Sequence, residues 1–355
     1  MKDLMTNRTD ERFSAEIRNG RALLDLARGW LAQGNPVVAI ELLRSATGSE
    51  EAENDQTLKA GIFKETGRAM MMQSDWESAE PYYLGAQRLY REIGDLKGAA
   101  ECARNRANMY FQRGRYQDSE ALCEQALEWI ATLNDHQLRA TILNTLGAIK
   151  SATGQLKEAI KTFRLCLADF QAAGNNIRQG YALLNIGLSL TEMGEYPEAV
   201  QSLREALAIA FTEKDLQLVE ICYQNIARCH LAQRETILAR SVLVTARKIL
   251  PGLNSRALEV ELDLIDCKIL HAMGDIERAE DLLRETFRKT VEHELTALQA
   301  DVLMAQGLLL KDKGESHPAA CKLDAAARLY QQLGVEKGFR EAILALDNLK
   351  KNADA

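Results

Sequence analysis

Apolar residues recur along the chain at spacings of three, four and seven, as in Leu183, Ile186 and Leu190, followed by Leu203 and Leu207. That period predicts amphipathic helices. The helical runs are broken at a fixed interval. A turn residue falls at Gly34, Ser74, Gly114, Gly154, Gly194, Arg234, Gly274 and Gly314, 40 residues apart each time. Seven residues before these anchors stand Ala27, Gly67, Ala107, Gly147, Gly187, Ala227, Cys267 and Gly307. Five after them stand Ala39, Ala79, Ser119, Ala159, Ala199, Ala239, Ala279 and Ala319. Twelve after them stand Ala46, Ala86, Ala126, Cys166, Ala206, Ala246, Thr286 and Ala326. All are small. Small residues at three fixed points predict two helices that cross closely on either side of the turn.

Twenty residues past each anchor comes a second stop, at Asn54, Gly94, Asn134, Gly174, Lys214, Asn254, Glu294 and Gly334. Most are Gly or Asn, which tolerate the left-handed conformation after a helix C-terminus. Each repeat therefore reads helix, short turn, helix, slightly longer turn. Pro197 and Pro318 fall where a first helical turn accepts proline. Pro81 lies deeper and predicts a kink or a lost hydrogen bond. Arg234 at a glycine position predicts a strained turn.

This pattern resembles the tetratricopeptide repeat family over roughly residues 18 to 351. The small positions carry the resemblance, with Tyr83, Tyr116, Phe163 and Tyr196 at the family's aromatic sites and Pro251 at its late-helix proline. The 40-residue period departs from the family's common 34 and is similar to the variant of kinesin light chains, spindle-orientation adaptors and bacterial regulators. The early Trp of the family is absent. The resemblance implies an all-α, right-handed superhelical solenoid of about eight helix-turn-helix repeats over residues 15–334. Residues 335–355 then form a capping helix and tail, with Phe339, Ile343, Leu344, Leu346 and Leu349 at helical spacing and a charged end. Residues 1–14 are expected to be poorly ordered.

Composition agrees with a folded chain: 46% hydrophobic, 27% charged and only 5 Pro among 355 residues. The formal charge of −7 disfavours a general nucleic-acid or anionic-membrane binder. No signal peptide and no apolar stretch long enough to span a bilayer is seen. The seven Cys are scattered, with no C-x-x-C pair, and read as small buried hydrophobes in a reducing, cytoplasmic setting.

Catalytic chemistry has little footing in this sequence. The phosphate-loop pattern G-x-x-x-x-G-K-[ST] is missing. Cys229, His230 and His271 come near one another by repeat geometry, but on different faces, and "VEHEL" at 291–295 lacks a second His at helical spacing. No enzyme, metal or cofactor is expected.

Function is therefore sought on the first helices of successive repeats, which the resemblance places along a concave surface. The core takes the residues eleven, eight, seven and four before each anchor. Those thirteen, ten, nine and six before it form a second stripe facing the groove. On that stripe lie Lys64, Arg68, Arg104, Asn105, Asn108 and Asn144, continued by Asn185, Asn225 and Arg228. An Asn amide can both donate to and accept from a peptide backbone, and Arg or Lys adds charge-assisted bonds to carboxylates. Tetratricopeptide domains that clamp acidic peptide ends use the same residue types there. The competing reading is a solvated surface, with Arg paired to neighbours such as Glu65 and Glu101. In the last two repeats the stripe turns apolar, at Leu264, Ile265, Met304 and Leu308. It serves a partner, a second copy or the terminal helix. Asp266 and Gln306, at positions that are core-facing elsewhere, predict a rotated helix there.

Two functions follow as expectations. One is a non-enzymatic adaptor that holds a protein segment, acidic and then apolar, in the groove. The other is a ligand- or peptide-sensing module acting on a separate effector chain. Self-association through the C-terminal repeats remains open.

Overall fold

The computed structural model describes residues 19–249 and 255–353. The first eighteen residues, Pro251, Asn254 and the last two residues lie outside that range, so the expectations placed on them are not addressed. Side chains from Lys350 onward are likewise outside it.

Eighteen helices and no strand are present among the described residues. They are α1 (Gly20–Ala32), α2 (Pro36–Thr47), α3 (Glu50–Asn54), α4 (Gln56–Met72), α5 (Trp76–Glu92) and α6 (Leu96–Gln112). Next come α7 (Tyr116–Trp129), α8 (His136–Ala152), α9 (Leu156–Ala172), α10 (Asn176–Met193), α11 (Tyr196–Glu213) and α12 (Leu216–Ala232). The last are α13 (Thr236–Ile249), α14 (Arg256–Ala272), α15 (Ile276–Glu292), α16 (Thr296–Asp312), α17 (Ser316–Gln332) and α18 (Glu336–Ala353). Each anchor residue separates the two helices of a pair, giving eight pairs, the one-turn α3 after the first, and α18 at the end. The chain divides into two compact bodies, Met1–Asn185 and Ile186–Ala355.

The turns explain the 40-residue period. Ser74 is left-handed at φ 59°, and its N–H bonds the Met71 carbonyl at 3.0 Å while Asp75 N–H bonds Met70 at 3.0 Å. This is a Schellman closure. Asp75 then caps α5, its carboxylate accepting from Ser78 N–H at 3.1 Å. The turn back to the next pair repeats this: Gly94 at φ 79°, Asp95 N–H on Tyr90 at 2.8 Å, and Asp95 capping Gly98 at 2.9 Å. Two 17-residue helices and two such three-residue turns make one repeat. The second turn is thus no longer than the first in these repeats, contrary to the sequence expectation. Longer links occur at 48–55 and 130–135, where neither Asn54 nor Asn134 is left-handed. Arg234 is left-handed at φ 60°, as its position predicts. α5 runs unbroken through Pro81.

The small positions work as expected, with a larger partner than expected. A Cβ on Gly67, Gly147, Gly187 or Gly307 would fall 3.0 Å or less from the side chain nine residues past the anchor, which is Tyr83, Phe163, Leu203 or Leu323. At Gly187 and Gly307 the carbonyls of Ala199 and Ala319 are also 3.3 Å away. One knob per repeat therefore fills the space left by the small residue, and all four knobs are buried.

α18 packs through part of its hydrophobic pattern, Phe339, Leu346 and Leu349, joined by the small residues Ala342 and Ala345. Ala342, Ala345 and Leu349 are buried, whereas Ile343 and Leu344 are exposed. The ring of Tyr330 lies so close to Gly338 that a Cβ there would stand 2.7 Å from it.

Candidate functional site

In the N-terminal body, α4, α5, α6 and α10 enclose a cavity of about 590 Å³. Lys64, Glu65, Arg68, Arg104, Asn105, Asn108 and Gln112 line it, with Met71, Met72, Tyr83, Glu101 and Arg178 completing the wall. The predicted stripe of the second and third repeats is thus gathered around one space. All its members come from first helices except Tyr83, the knob of the second repeat.

The charges of this cavity are unevenly partnered. Lys64 Nζ donates to Glu101 at 2.5 Å. Glu65 is buried and is shared by Arg68 at 3.5 Å and Arg28 at 3.4 Å. These are the neighbour pairings that the surface reading foresaw, and they remove Lys64 as a free cation. No ion pair among the described residues includes Arg104 or Arg178. The Nε of Arg104 is buried without any hydrogen-bond partner. Burial depresses the pKa of its guanidinium, opposed by the charges of Tyr83 and Glu101. A buried donor with no acceptor is costly and rare in folded proteins.

The asparagines divide into two sets. Asn105 lines the cavity. Asn108 accepts from the Thr145 hydroxyl at 3.2 Å, and Asn144 accepts from the Asn185 amide at 3.0 Å, which links first helices α6 to α8 and α8 to α10. These bonds use the oxygens of Asn108 and Asn144 as acceptors. Asn225 is different. In the C-terminal body it is buried and donates its amide to the Ile221 carbonyl of its own helix at 2.8 Å. Its predicted groove position is therefore a correction. Arg228 is exposed on α12, in the C-terminal body.

The apolar end of the stripe is consumed within the C-terminal body. Leu264 and Ile265 are buried, and Met304 and Leu308 pack with Leu323, Ala345, Leu346 and Leu349. The terminal helix packs at the Met304 and Leu308 end of this stripe, while Leu264 is buried among Leu283, Val302 and Leu309. The expected helix rotation is absent: Asp263, Cys267 and Leu270 are buried at the usual core positions. Asp266 instead meets Arg247 at 3.6 Å, and Gln306 donates to the Leu283 carbonyl at 3.2 Å.

Sequence reasoning missed Arg178, Glu101 and Gln112. For Arg178 a signal existed. Sixteen residues before the anchors of the second to eighth repeats stand Leu58, Gly98, Leu138, Arg178, Leu218, Leu258 and Leu298. One cation replaces an otherwise apolar or small row, and it is exposed where Leu58, Leu138, Leu218 and Leu258 are buried.

Neither histidine flagged in the sequence joins a cluster. His230 bonds Glu235 at 2.7 Å, His271 lies 3.1 Å from Asp312, and Cys229 contacts the Thr191 hydroxyl at 3.2 Å. Among the described residues no three His, Cys, Asp or Glu side chains are grouped to hold a metal. Among the described residues no helix is long and apolar enough to cross a membrane.

Comparison with known proteins agrees with the repeat geometry. Three tetratricopeptide repeat models match residues 65–132, 99–172 and 180–210. A search of curated protein sequences gives no match. Among solved structures, a Rap protein complexed with competence and sporulation factor is similar over 94% of this chain and 98% of its own, with TM-score 0.58 and 15% identity. The apo quorum sensor NprR from B. thuringiensis aligns over 96% and 99%, with TM-score 0.61 and 13% identity. A signal transduction ATPase with a tetratricopeptide repeat sensor, from Pyrococcus horikoshii, gives TM-score 0.66 at 16% identity over 80% of this chain and 44% of that one. At such identities the likeness is one of fold. The chain thus carries tetratricopeptide repeats over the matched residues, within an array of eight helix pairs of 40-residue period among the described residues.

Proposed function

We propose that the chain is a non-enzymatic scaffold whose first-helix face in repeats two to five holds a segment of another protein, with an anionic group of that segment seated on Arg104. The observation that carries this reading is the Arg104 guanidinium, which lines a polar cavity with a buried and unpartnered Nε. Asn105 and Asn108 supply amides in the same cavity for the backbone of an extended segment, and Asn144 continues them on the next first helix. The apolar half of the expected partner drops out, because Leu264 and Ile265 are buried and Met304 and Leu308 already pack with α18. The Rap protein of similar fold, which binds competence and sporulation factor, supports a protein or peptide occupant by analogy.

The test is capture of partners by wild type and by the Arg104→Gln/Asn105→Ala/Asn108→Ala variant, at low and high salt. Loss of a partner in the variant, with unchanged melting temperature, supports the site. Equal capture by both proteins sinks it.

A sensing role is the second reading. One observation favours it: in the C-terminal body, Lys337 of α18 lies 3.7 Å from Glu192 of α10, an exposed pair that joins helices far apart in sequence. Exposed pairs of this kind are worth at most about 1 kcal/mol, so a ligand can shift them. A change in small-angle scattering on adding a captured peptide supports sensing, and an unchanged profile removes it.

A further inference from the structure

We propose that the anionic group received by the cavity is a phosphoryl monoester carried by the bound segment and held between Arg104 and Arg178. This rests on the groove reading above and specifies its ligand chemistry.

Charge is the first argument. Four cationic side chains (Lys64, Arg68, Arg104 and Arg178) and two carboxylates (Glu65 and Glu101) line the space, an excess of two positive charges. A phosphoryl monoester carries roughly −1.5 to −2 at neutral pH, whereas one carboxylate carries half of that.

Direction is the second. The two guanidiniums free of ion pairs arise from different helices, α6 and α10, and face one cavity. A carboxylate presents its two oxygens in one plane and satisfies one guanidinium fork. A tetrahedral phosphoryl group has three terminal oxygens and presents edges to both forks at once. The cavity volume of about 590 Å³ leaves room for the group and the side chain that bears it.

The third argument is the placement of Arg178. Its row is Leu in five of the seven repeats from the second to the eighth, and four of those leucines are buried packing residues. An exposed arginine there contributes nothing to the packing that the row otherwise serves. It does bring a second positive charge near Arg104, a repulsion that an anion between them would reverse.

The experiment is calorimetric titration of the full chain with N-acetyl-O-phosphoserine amide and with N-acetyl-aspartate amide at matched ionic strength. Wild type should bind the phosphoserine probe about tenfold or more tightly than the aspartate probe. Binding should weaken as pH falls below about 6, where the phosphoryl group gains a proton. Arg178→Leu, which restores the residue of the row and keeps the fold, should lose about tenfold for the phosphoserine probe alone. Equal binding of the two probes, no binding of the phosphoserine probe at millimolar concentration, or indifference to Arg178→Leu each overturns the proposal. If the probe result is negative while the groove variant still loses its partner, the phosphoryl assignment alone fails. If the variant also keeps its partner, the groove reading fails with it.

Discussion

Gly147 sits against the ring of Phe163 so closely that a Cβ at that position would stand 2.6 Å from Cε1. The contact joins the two helices of the fourth repeat, and Phe163 is buried at its centre. Gly147→Ala should therefore destabilise the chain by about 1–3 kcal/mol, the usual cost of overpacking a filled core. Thermal unfolding checks this. A Phe163→Leu change should recover part of the loss in the double variant, because the two residues share one volume.

Ser74 and Arg234 hold left-handed turns that glycine serves in most other repeats, at φ 59° and φ 60°. Ser74→Gly and Arg234→Gly should each raise stability by about 0.5–1 kcal/mol, since both relieve backbone strain at exposed turns. Chemical denaturation measures the gain. A loss of stability at either position would show that the side chain contributes more than its backbone costs.

Asp169 is buried yet stays ionised. Burial alone would raise its pKa, but hydrogen bonds from Arg139, at 2.5 and 2.6 Å, and from His136, at 2.8 Å, outweigh it and leave the value lowered. A carboxyl lowered in the folded state stabilises above its unfolded pKa of about 3.9, and that contribution disappears as pH falls through the folded value. Arg139→Ala should thus cost about 2 kcal/mol at pH 7, by stranding a buried carboxylate. Its stability deficit should shrink in acid, below about pH 4, as Asp169 takes up a proton. Stability measured against pH in both proteins decides this.

The Lys64–Glu101 pair bears on binding more than on stability. Glu101 engages Lys64 at 2.5 Å at the edge of the cavity. Glu101→Gln removes one negative charge and releases that ammonium toward the cavity. Capture of an anionic segment should strengthen several-fold, with the gain lost at high salt. Titration of the captured partner at two ionic strengths tests it. Weaker binding in this variant would mean that Glu101 itself contacts the ligand.

Much of this molecule was legible in its sequence, because the period is written in residues whose roles are steric. Gly94, Gly114 and Ala79 each have one physical purpose at a fixed place, and the helix pairs follow from them. The equal turn lengths were less visible: Asp75 and Asp95 each close one helix and cap the next, which no single-residue signal announces. The site was partly legible. Arg104 and Asn105, expected on one stripe, both line the cavity, since a helix face follows from spacing. Which of its charges stay free did not, because Lys64 meets Glu101 from the next repeat 37 residues away. Asn225 was misplaced for a similar reason, its amide having a local carbonyl to bond.

The most direct test of the anionic groove is site-specific photo-crosslinking. A photoreactive side chain is placed at Gln112, which lines the cavity, and separately at Leu165, which is exposed on α9 in the same body. The account predicts that one partner is crosslinked from position 112, that it is lost when Arg104→Gln is added, and that position 165 does not trap it. Crosslinking of that partner from position 165, or undiminished crosslinking from position 112 without Arg104, would contradict it.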